Sequence, residues 1–546
     1  MMKNLLGSII RKNEHKDFKG LVSFMTNQHQ NIYLRNGIIQ LFREYCDQNR
    51  KTKKFQESSS LFDFLKKVQE LFITKEHLVL IHRYAIAKYR FYMVRRDGEY
   101  MEEITLSKYL DLKDDYAKQK RKDGYHLHID FMPFYDFSPS MRDTRSIGNG
   151  IRFLNRYLSS NIFSRPDEWN AKLFEFIKLH QYNGRQLLVN DTLVKDLEAF
   201  YTKLEQLLEW LKKKKPETSF SSVEAKMKKS GFEVGWGNTV GRIIETVETL
   251  LRLINEPTDK QLERFISRVP MPLISKIAII SPHGWFGQTN ALGKPDTGGQ
   301  VVYILDQVRA LERHLKTEIQ LTGLEVNPKI IVLTRLIPEA EDTTCNQRME
   351  KIFQSDNCWI LRVPFRDKQY NVVKHWVSRF KIWPYLEIFA EDASKELLGE
   401  FQGRPDLIIG NYSDGNLVAS LLSDKLDVIQ CTIAHALEKT KYAFSDIGWQ
   451  DNEQDYHFSI QYTADIFSMN KSDFIITSTL QEIIGTEDTM GQYESYQFFT
   501  MPDLYQVISG INLFAPKFNV IPPGVDEELY FPYYEKMSAV YCIEKW

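Results

Sequence analysis

The stretch "SPHGWFGQTNALGKPDTGGQVVYILDQVRALERHL", residues 281–315, decides the fold, because it joins a short apolar run to a long amphipathic segment through a polar loop. The preceding run "KIAIIS" predicts a strand over 276–281. The segment after the loop predicts a helix, since its apolar residues recur at helical spacing. The predicted buried stripe of this helix is Val301, Ile304, Leu305, Val308 and Leu311.

Gly298 and Gly299 stand immediately before the predicted helix. Backbone N–H groups and the helix dipole favour an anion at such a position, and residues without Cβ atoms let a ligand oxygen approach the backbone closely. The alternative is a tight turn that merely starts the helix. A nicotinamide-binding loop is disfavoured, because G-x-G-x-x-G is absent and the loop is too long for it.

The 546-residue length predicts several domains. Lysine and arginine number 71 against 72 aspartate and glutamate, so no net charge attracts nucleic acid or anionic lipid, and we expect small-molecule partners. Neither a signal sequence nor a membrane-length apolar segment is recognisable, which predicts a cytoplasmic protein.

The five cysteines lack the CxxC spacing of zinc or redox sites. We expect buried thiols, with one peripheral disulfide as the alternative.

The chain before Pro270 divides into two predicted domains. Residues 1–130 predict a small mixed domain, with a helical pattern in "LFDFLKKVQELF" and an Asp-Gly turn between two strand-like runs. Residues 145–268 predict a helical domain in which Asn238 or Thr239 caps a helix with an apolar stripe. Its run of four lysines, 212–215, predicts an exposed turn.

After Pro270 the pattern changes to short apolar runs separated by helix-length segments. Strands that are apolar on both faces are typical of a parallel sheet covered by helices, the doubly wound α/β fold. We therefore predict one Rossmann-like domain over 270–532, followed by a tail at 533–546. The predicted strands lie in "KIAIIS", "KIIVLT", "WILRVPF", "DLIIGNY", "IQCTIAH", "DFIITST" and "FNVIPPG".

Two further polar stretches follow predicted strands. In "CTIAHALEKTKY" a strand ends at His435, which suits hydrogen bonding to a polyol, although a purely structural histidine fits the same pattern. In "PDLIIGNYSDGN" the polar residues Asn411, Ser413 and Asp414 lie between a strand and a helix, and helix capping is the expected role of Asp414. HExxH, GxSxG and GxxxxGKS motifs are absent, which disfavours zinc hydrolases, serine hydrolases and P-loop enzymes.

Together these stretches resemble the sucrose synthase family. The similarity includes the glycine-pair loop, "RFKIWPYLE", "PDLIIGNYSDGN", "TIAHALEKTKY" and "FTMPDLYQVISGINLFAPKFNVIPPG". It continues upstream through "PFYDFSPSMRDTRSIGNGIRFLNRYLSS", "LHQYNGRQLLVND" and "GFEVGWGNTVGRIIETVETLL". By this resemblance the first domain corresponds to a targeting-like domain, the second to a peptide-binding-like helical domain, and the third to the first half of a GT-B fold.

The resemblance implies a retaining glucosyltransferase of the family 4 type, which exchanges sucrose and a nucleoside diphosphate for nucleotide-glucose and fructose. It places Gly298, Gly299 and Gln300 against the diphosphate and the glucosyl group. It makes His435 the catalytic residue that positions the glucosyl ring. It gives fructose binding to His283 and Lys441. It implies no metal and no cofactor, with UDP or ADP as substrate, and assembly into a homo-oligomer such as a tetramer.

The sequence departs from the family after "PPG" at 522–524. In the family this point leads into a second Rossmann-like domain, which we expect this chain to lack, so that the chain alone is inactive. A frameshift, an early stop and a split gene with a separate C-terminal polypeptide are all compatible with that departure. The alternative functions are a sucrose-phosphate synthase-like enzyme and a non-catalytic assembly subunit. Preference for UDP or ADP, reaction direction and oligomeric state stay open.

Overall fold

The structure is a computed structural model that describes residues 4–118, 159–496 and 503–507, apart from positions 87, 272, 446, 447 and 450. Its contacts divide the chain into two units, Met1–Tyr505 and Gln506–Trp546, and the description below concerns the first. The predicted strand in "FNVIPPG", the tail at 533–546 and Cys542 lie outside the described residues. The four described cysteines are free and buried, as predicted. The predicted domain boundaries stay a prediction.

The N-terminal region forms an antiparallel sheet in the order β1-β2-β3-β4-β5, covered by helices on both faces. The predicted Asp-Gly turn joins β4 to β5, with Gly98 in the left-handed conformation at φ +67° that favours glycine. The elements are α1 Leu6–Ile9, α2 His15–Thr26, β1 Ile32–Leu34, α3 Arg35–Gln48, α4 Lys53–Ser58, α5 Ser60–Leu65, β2 Val68–Ile73, β3 His77–Ala85, β4 Lys88–Arg95, β5 Met101–Ile104 and α6 Leu106–Lys118.

The helical prediction for "LFDFLKKVQELF" is wrong in its second half. Helix α5 begins after Ser59, whose side chain accepts a hydrogen bond from Phe62 N at 3.1 Å, and it ends at Leu65. From Val68 the chain becomes strand β2, which pairs with both β1 and β3. Because helices cover both faces of the sheet, β2 is apolar almost throughout, and such a run does not distinguish a strand from a helix by its period.

The middle region is helical, as predicted, and has its own apolar core. Thr239 is the cap, since its hydroxyl accepts from Arg242 N at 3.4 Å at the start of the following helix. The four lysines 212–215 lie in an exposed turn, also as predicted. The elements are α7 Pro166–Leu179, β6 Gln181–Tyr182, β7 Arg185–Gln186, α8 Leu197–Leu211, α9 Glu224–Ser230, α10 Val240–Asn255 and α11 Asp259–Ile266.

The third region contains a mainly parallel sheet in the order β10-β11-β9-β8-β12-β13-β14-β15, which confirms the α/β fold class. Strand β10 runs antiparallel to β11 at one edge. Helix α12 packs on one face of the sheet against Ile277 and Ile279 of β8. Helices α13 and α14 pack on the other face, against Ala278 and Ile280. The strands are β8 Lys276–Ile280, β9 Lys329–Leu336, β10 Met349–Lys351, β11 Cys358–Pro364, β12 Leu407–Asn411, β13 Ile429–Ile433, β14 Phe474–Thr477 and β15 Asp503–Gln506.

The helices of this region are α12 Gly299–Leu321, α13 Leu386–Phe401, α14 Tyr412–Leu426, α15 Lys439–Ala443, α16 Glu453–Tyr456, α17 Phe458–Lys471 and α18 Leu480–Ile484. Short 3-10 turns occur at Lys12–Glu14, Phe220–Ser222, Val234–Trp236, Trp383–Tyr385 and Tyr493–Tyr496. Four residues of the predicted stripe of α12 are buried, and Leu311 is half-buried. In the part of the chain that the structure describes, no helix is long and apolar enough to cross a membrane.

Candidate functional site

The candidate site lies where the strand order of the large sheet reverses. From β8 the chain moves to β9 and β11 on one side, and it then returns to add β12, β13 and β14 on the other. Ligands of open α/β sheets bind beyond the carboxyl ends of the strands at such a switch point. Strands β8, β12 and β13 are neighbours, so His283, Asp414 in the first turn of α14, and His435 meet at this edge.

His283 is buried and forms an ion pair with Asp414, which is also buried. The imidazole Nδ1 lies 2.9 Å from Oδ1 and 2.8 Å from Oδ2 of the carboxylate. Burial disfavours the charged imidazole, but the charge and hydrogen bonds of Asp414 outweigh it, so the pKa of His283 lies above its ordinary value. Because Nδ1 is bound to Asp414, Nε2 is the ring nitrogen left for a ligand.

The expectation that Asp414 caps a helix is wrong. Helix α14 has Asn411 as its N-cap residue and no side-chain capping bond, while the Asp414 carboxylate is directed to His283 on another loop. Its place in the first turn of α14 still suits a carboxylate, because the helix dipole is positive there. Asp414 is therefore a site residue that the sequence analysis missed.

His435 follows β13 with φ +58°, a left-handed conformation that is uncommon for a residue with a side chain. Its Nε2 lies 2.8 Å from Oδ1 of Asn411, so this nitrogen donates the bond and Nδ1 is left as an acceptor. Its ring stacks on Tyr412 at 4.7 Å between centroids and meets Tyr303 edge-on at 4.9 Å. Burial, with a smaller contribution from the charge of His283, lowers the pKa of His435 to about 4.

The site therefore contains two imidazoles whose pKa values are shifted in opposite directions, upward for His283 and downward for His435. Tyr412 touches both, since its ring also meets that of His283 edge-on at 5.1 Å. Near neutral pH His435 is uncharged, whereas Asp414 favours the charged form of His283. His435 can therefore accept a hydrogen bond from one hydroxyl of a polyol ligand, and His283 can donate a hydrogen bond to another.

The glycine pair lies at the start of α12, where Gly298 is the N-cap residue and Gly299 the first helical residue. Gly298 has φ −143°, Gly299 is helical, and a Cβ atom at either position would meet no atom within 4 Å. Neither backbone strain nor crowding inside the described residues thus requires glycine here, which favours close approach of a ligand over a tight turn. Tyr303, one turn further along α12, contacts the His435 ring, so the helix start and His435 are neighbours.

The side chains of Gln300 and Lys441 are each bonded to another residue of the chain. The Gln300 side chain is buried, and its Nε2 donates to the hydroxyl of Ser281. The group that Gln300 offers to a ligand at the helix start is therefore its backbone N–H. Lys441 is exposed, and its Nζ lies 3.0 Å from Oε1 of Glu438. Arg379 also reaches Glu438, at 3.4 Å, and its positive charge acts to lower the pKa of His283, against the larger effect of Asp414. Arg379 is a second residue that the sequence analysis missed.

In the described parts of the chain, no group of three or more histidine, cysteine, aspartate or glutamate side chains is arranged to hold a metal ion. The roles assigned to Gly298, Gly299, Gln300, His283, His435 and Lys441 stay predictions.

Comparison with protein-family models matches residues 260–545 to "Sucrose synthase first GT-B domain". Residues 149–238 match "Sucrose synthase EPBD domain", and residues 2–114 match "Sucrose synthase N-terminal".

Curated relatives show the same similarity over nearly the whole chain. A sucrose synthase of Thermosynechococcus vestitus is 49% identical over 534 residues, 97% of this chain and 66% of that protein. Sucrose synthases of Nitrosomonas europaea and Solanum tuberosum are 49% and 46% identical, over 92% and 91% of this chain and 61% of each relative. The chain thus spans somewhat less than two thirds of the length of these relatives.

Among solved structures, a sucrose-phosphate synthase of Thermosynechococcus elongatus is 18% identical over 43% of this chain and 48% of its own, with a TM-score of 0.32.

Proposed function

Because the chain belongs to the sucrose synthase family, we propose that it supplies the fructose-binding half of a retaining glucosyltransferase. The reaction exchanges sucrose and a nucleoside diphosphate, UDP or ADP, for nucleotide-glucose and fructose. The observation that carries the proposal is the meeting of His283, His435 and the start of α12 at the switch point of the sheet. The matching curated relatives are sucrose synthases, which favours this function over a sucrose-phosphate synthase-like one.

The start of α12 would bind the diphosphate. The N–H groups at the helix start and the positive end of its dipole stabilise negative charge. The absence of Cβ atoms at Gly298 and Gly299 lets phosphate oxygens approach the backbone. The negative charge on the phosphate is greatest when it leaves the glucosyl carbon, so the stabilisation is largest in the transition state. We expect no resident metal or cofactor, with the nucleotide acting as substrate.

The two histidines would bind the two sugars. Neutral His435 donates through Nε2 to Asn411, and its Nδ1 can accept a hydrogen bond from a glucosyl hydroxyl. His283, held through Nδ1 by Asp414, can donate from Nε2 to a fructose hydroxyl. Lys441 would reach fructose only by leaving Glu438, to which it is bonded.

No protein nucleophile is required in this scheme. In the cleavage direction a phosphate oxygen bonds to the anomeric carbon on the face from which fructose departs, while the bond from that carbon to the fructose oxygen breaks. The departing fructose oxygen takes up the proton that the terminal phosphate of the nucleoside diphosphate gives up. Assembly into a homo-oligomer and a cytoplasmic location remain expectations from the resemblance.

The proposal is tested by joining this chain covalently to the C-terminal portion of the Thermosynechococcus vestitus relative that it does not match. We expect the fusion to release fructose from sucrose when UDP or ADP is added, and His435→Ala to remove most of that activity. His314→Ala, an exposed position on α12, is the matched control and should leave the activity unchanged. A folded fusion without nucleotide-dependent fructose release would refute the proposal.

A further inference from the structure

The N-terminal sheet contacts residues 484–494 through buried charged groups. Arg83, in β3, places Nε 2.8 Å from Oε1 and Nη2 3.3 Å from Oε2 of Glu494. Both side chains are almost fully buried, at 3% and 0% exposure. The Tyr89 hydroxyl of β4 donates to the same carboxylate, and Arg83 also donates to the carbonyl oxygens of Ile484 and Glu487. A buried pair with this many hydrogen bonds fixes the position of its partners.

Glu494 belongs to a short segment that holds the loop after His435. The Glu494 carboxylate accepts from Gly491 N at 2.9 Å, which orders the turn between them. The neighbouring Gln492 accepts from Leu437 N at 2.7 Å through its side-chain oxygen. Arg83 is thus connected to a backbone group two residues after His435 through contacts that the structure describes at each step.

A second connection runs through Lys439. Its Nζ donates to Ser495 O at 2.9 Å and lies over the rings of Tyr462 and Tyr496, at 5.2 and 5.4 Å. Burial lowers its pKa to about 8, and the carboxylate of Glu70 in β2 opposes that effect. The Glu70 carboxylate is bonded to Lys113 at 2.5 Å, and it lines the same small cavity as Lys439.

The cavity between these groups is small. It measures about 40 Å³ and is lined among others by Gln69, Glu70, Lys113 and Lys439. That volume can hold a water molecule but not a sugar ring. The contact between the N-terminal sheet and this segment therefore holds the loop after His435, and it is not a ligand site.

We propose that Arg83 of the N-terminal sheet is a positioning residue for His435. The proposal rests on the proposed function only for the role of His435 itself. The left-handed backbone of His435 is strained and persists only where the surroundings fix it. The anchors closest in the chain are Leu437 and Lys439, which are bonded to Gln492 and to Ser495 O. Both partners belong to the segment that Arg83 holds through Glu494. Loosening that sheet contact frees the loop to relax and displaces the imidazole from Asn411.

The test measures hydrogen exchange of the Leu437 amide and of peptides covering 434–442 in the 546-residue chain, without substrate. We expect Arg83→Gln and Glu494→Gln each to speed exchange at Leu437 about tenfold, since its acceptor is no longer held. The double variant should show no larger effect than either single variant, because both act through one contact. Unchanged exchange at Leu437, or additive effects, would overturn the proposal.

The matched control is Glu350→Gln. Glu350 also forms a buried pair with an arginine, Arg362, at 2.5 Å, but on β10 at the far edge of the large sheet. We expect this control to leave exchange over 434–442 within about twofold of the parent chain. Equal acceleration in the control would show that general destabilisation, and not the sheet contact, moves the loop, and would overturn the proposal. Because no substrate is used, the result is independent of whether the fusion cleaves sucrose.

Discussion

The carboxylate of Asp414 accepts a hydrogen bond from Nδ1 of His283 at 2.8 Å, although the two residues stand 131 positions apart in the chain. This pairing joins the ends of β8 and β12, and it favours the charged form of the His283 imidazole. Several measurable properties of the protein depend on it and on its neighbours.

Replacing Asp414 with asparagine should lower the pKa of His283 below its ordinary 6.5, because burial then acts without the opposing carboxylate. The raised pKa in the parent chain stabilises the fold most below pH 6.5, and that contribution is lost as pH rises through the folded pKa. We expect Asp414→Asn to cost about 1–3 kcal/mol in the free energy of unfolding at pH 6, and less at pH 9. Denaturant unfolding at both pH values measures the difference. An equal cost at both values would contradict a raised pKa of His283.

His435 should destabilise the fold in mild acid. Its folded pKa of about 4 lies below the ordinary 6.5, so the native state resists a proton that the unfolded state takes up, and stability falls as pH drops below 6.5. At pH 5 this amounts to about 2 kcal/mol. His435→Gln should therefore lose less stability between pH 7 and pH 5 than the parent chain. His77→Gln, on the N-terminal sheet, serves as the control. Parallel stability curves for parent and variant would contradict the expected pKa.

Gly299→Val should separate ligand binding from folding. A Cβ atom at this position meets no atom within 4 Å, so the change should cost no more than about 1–3 kcal/mol in the free energy of unfolding. If phosphate oxygens approach the backbone here, activity of the covalent fusion should fall by several orders of magnitude. Thermal unfolding and fructose release are measured on the same sample.

Gly284→Val provides the contrast for this experiment. Gly284 has φ +76°, and a Cβ atom there would lie 2.3 Å from the carbonyl oxygen of Asp296, so this variant should lose stability first. A stability loss in Gly299→Val with unchanged activity per folded molecule would contradict the phosphate-binding role of the helix start.

The 546-residue chain alone should bind UDP or ADP no more tightly than about millimolar, because the start of α12 offers only part of the contacts a nucleotide requires. The covalent fusion should bind the same nucleotides more tightly. Isothermal titration calorimetry of both proteins measures the difference. Micromolar binding by the chain alone would show that this half already contains the nucleotide site.

Local patterns predicted much of the α/β region, because each apolar run and each amphipathic segment is a local property of the sequence. The position of His283 and His435 also followed, since both come directly after predicted strands and parallel strands end at one edge of a sheet. The pairing of His283 with Asp414 did not follow. The local sequence around Asp414 satisfies the capping pattern equally well, and only the order of the strands brings the two residues together.

Two further differences have similar physical reasons. The strand at Val68–Ile73 continued an apolar pattern that fits a helix, and its burial on both faces removed the alternation that marks a strand. Arg379 lies in a loop, far in sequence from Glu438 and Asp296, which it contacts. The sequence around Arg379, "RFK", contains no pattern that indicates those partners.

The separation of His283 and Asp414 also has a consequence for biosynthesis. At roughly 5–20 residues per second, a ribosome needs on the order of 10 s to make the 131 residues between them. During that time strand β8 lacks its neighbour β12, and the histidine lacks its carboxylate. The site therefore forms only after most of the sheet has been synthesised. A nascent chain that stops before α14 exposes an unpaired apolar strand, which is a target for chaperones and for aggregation.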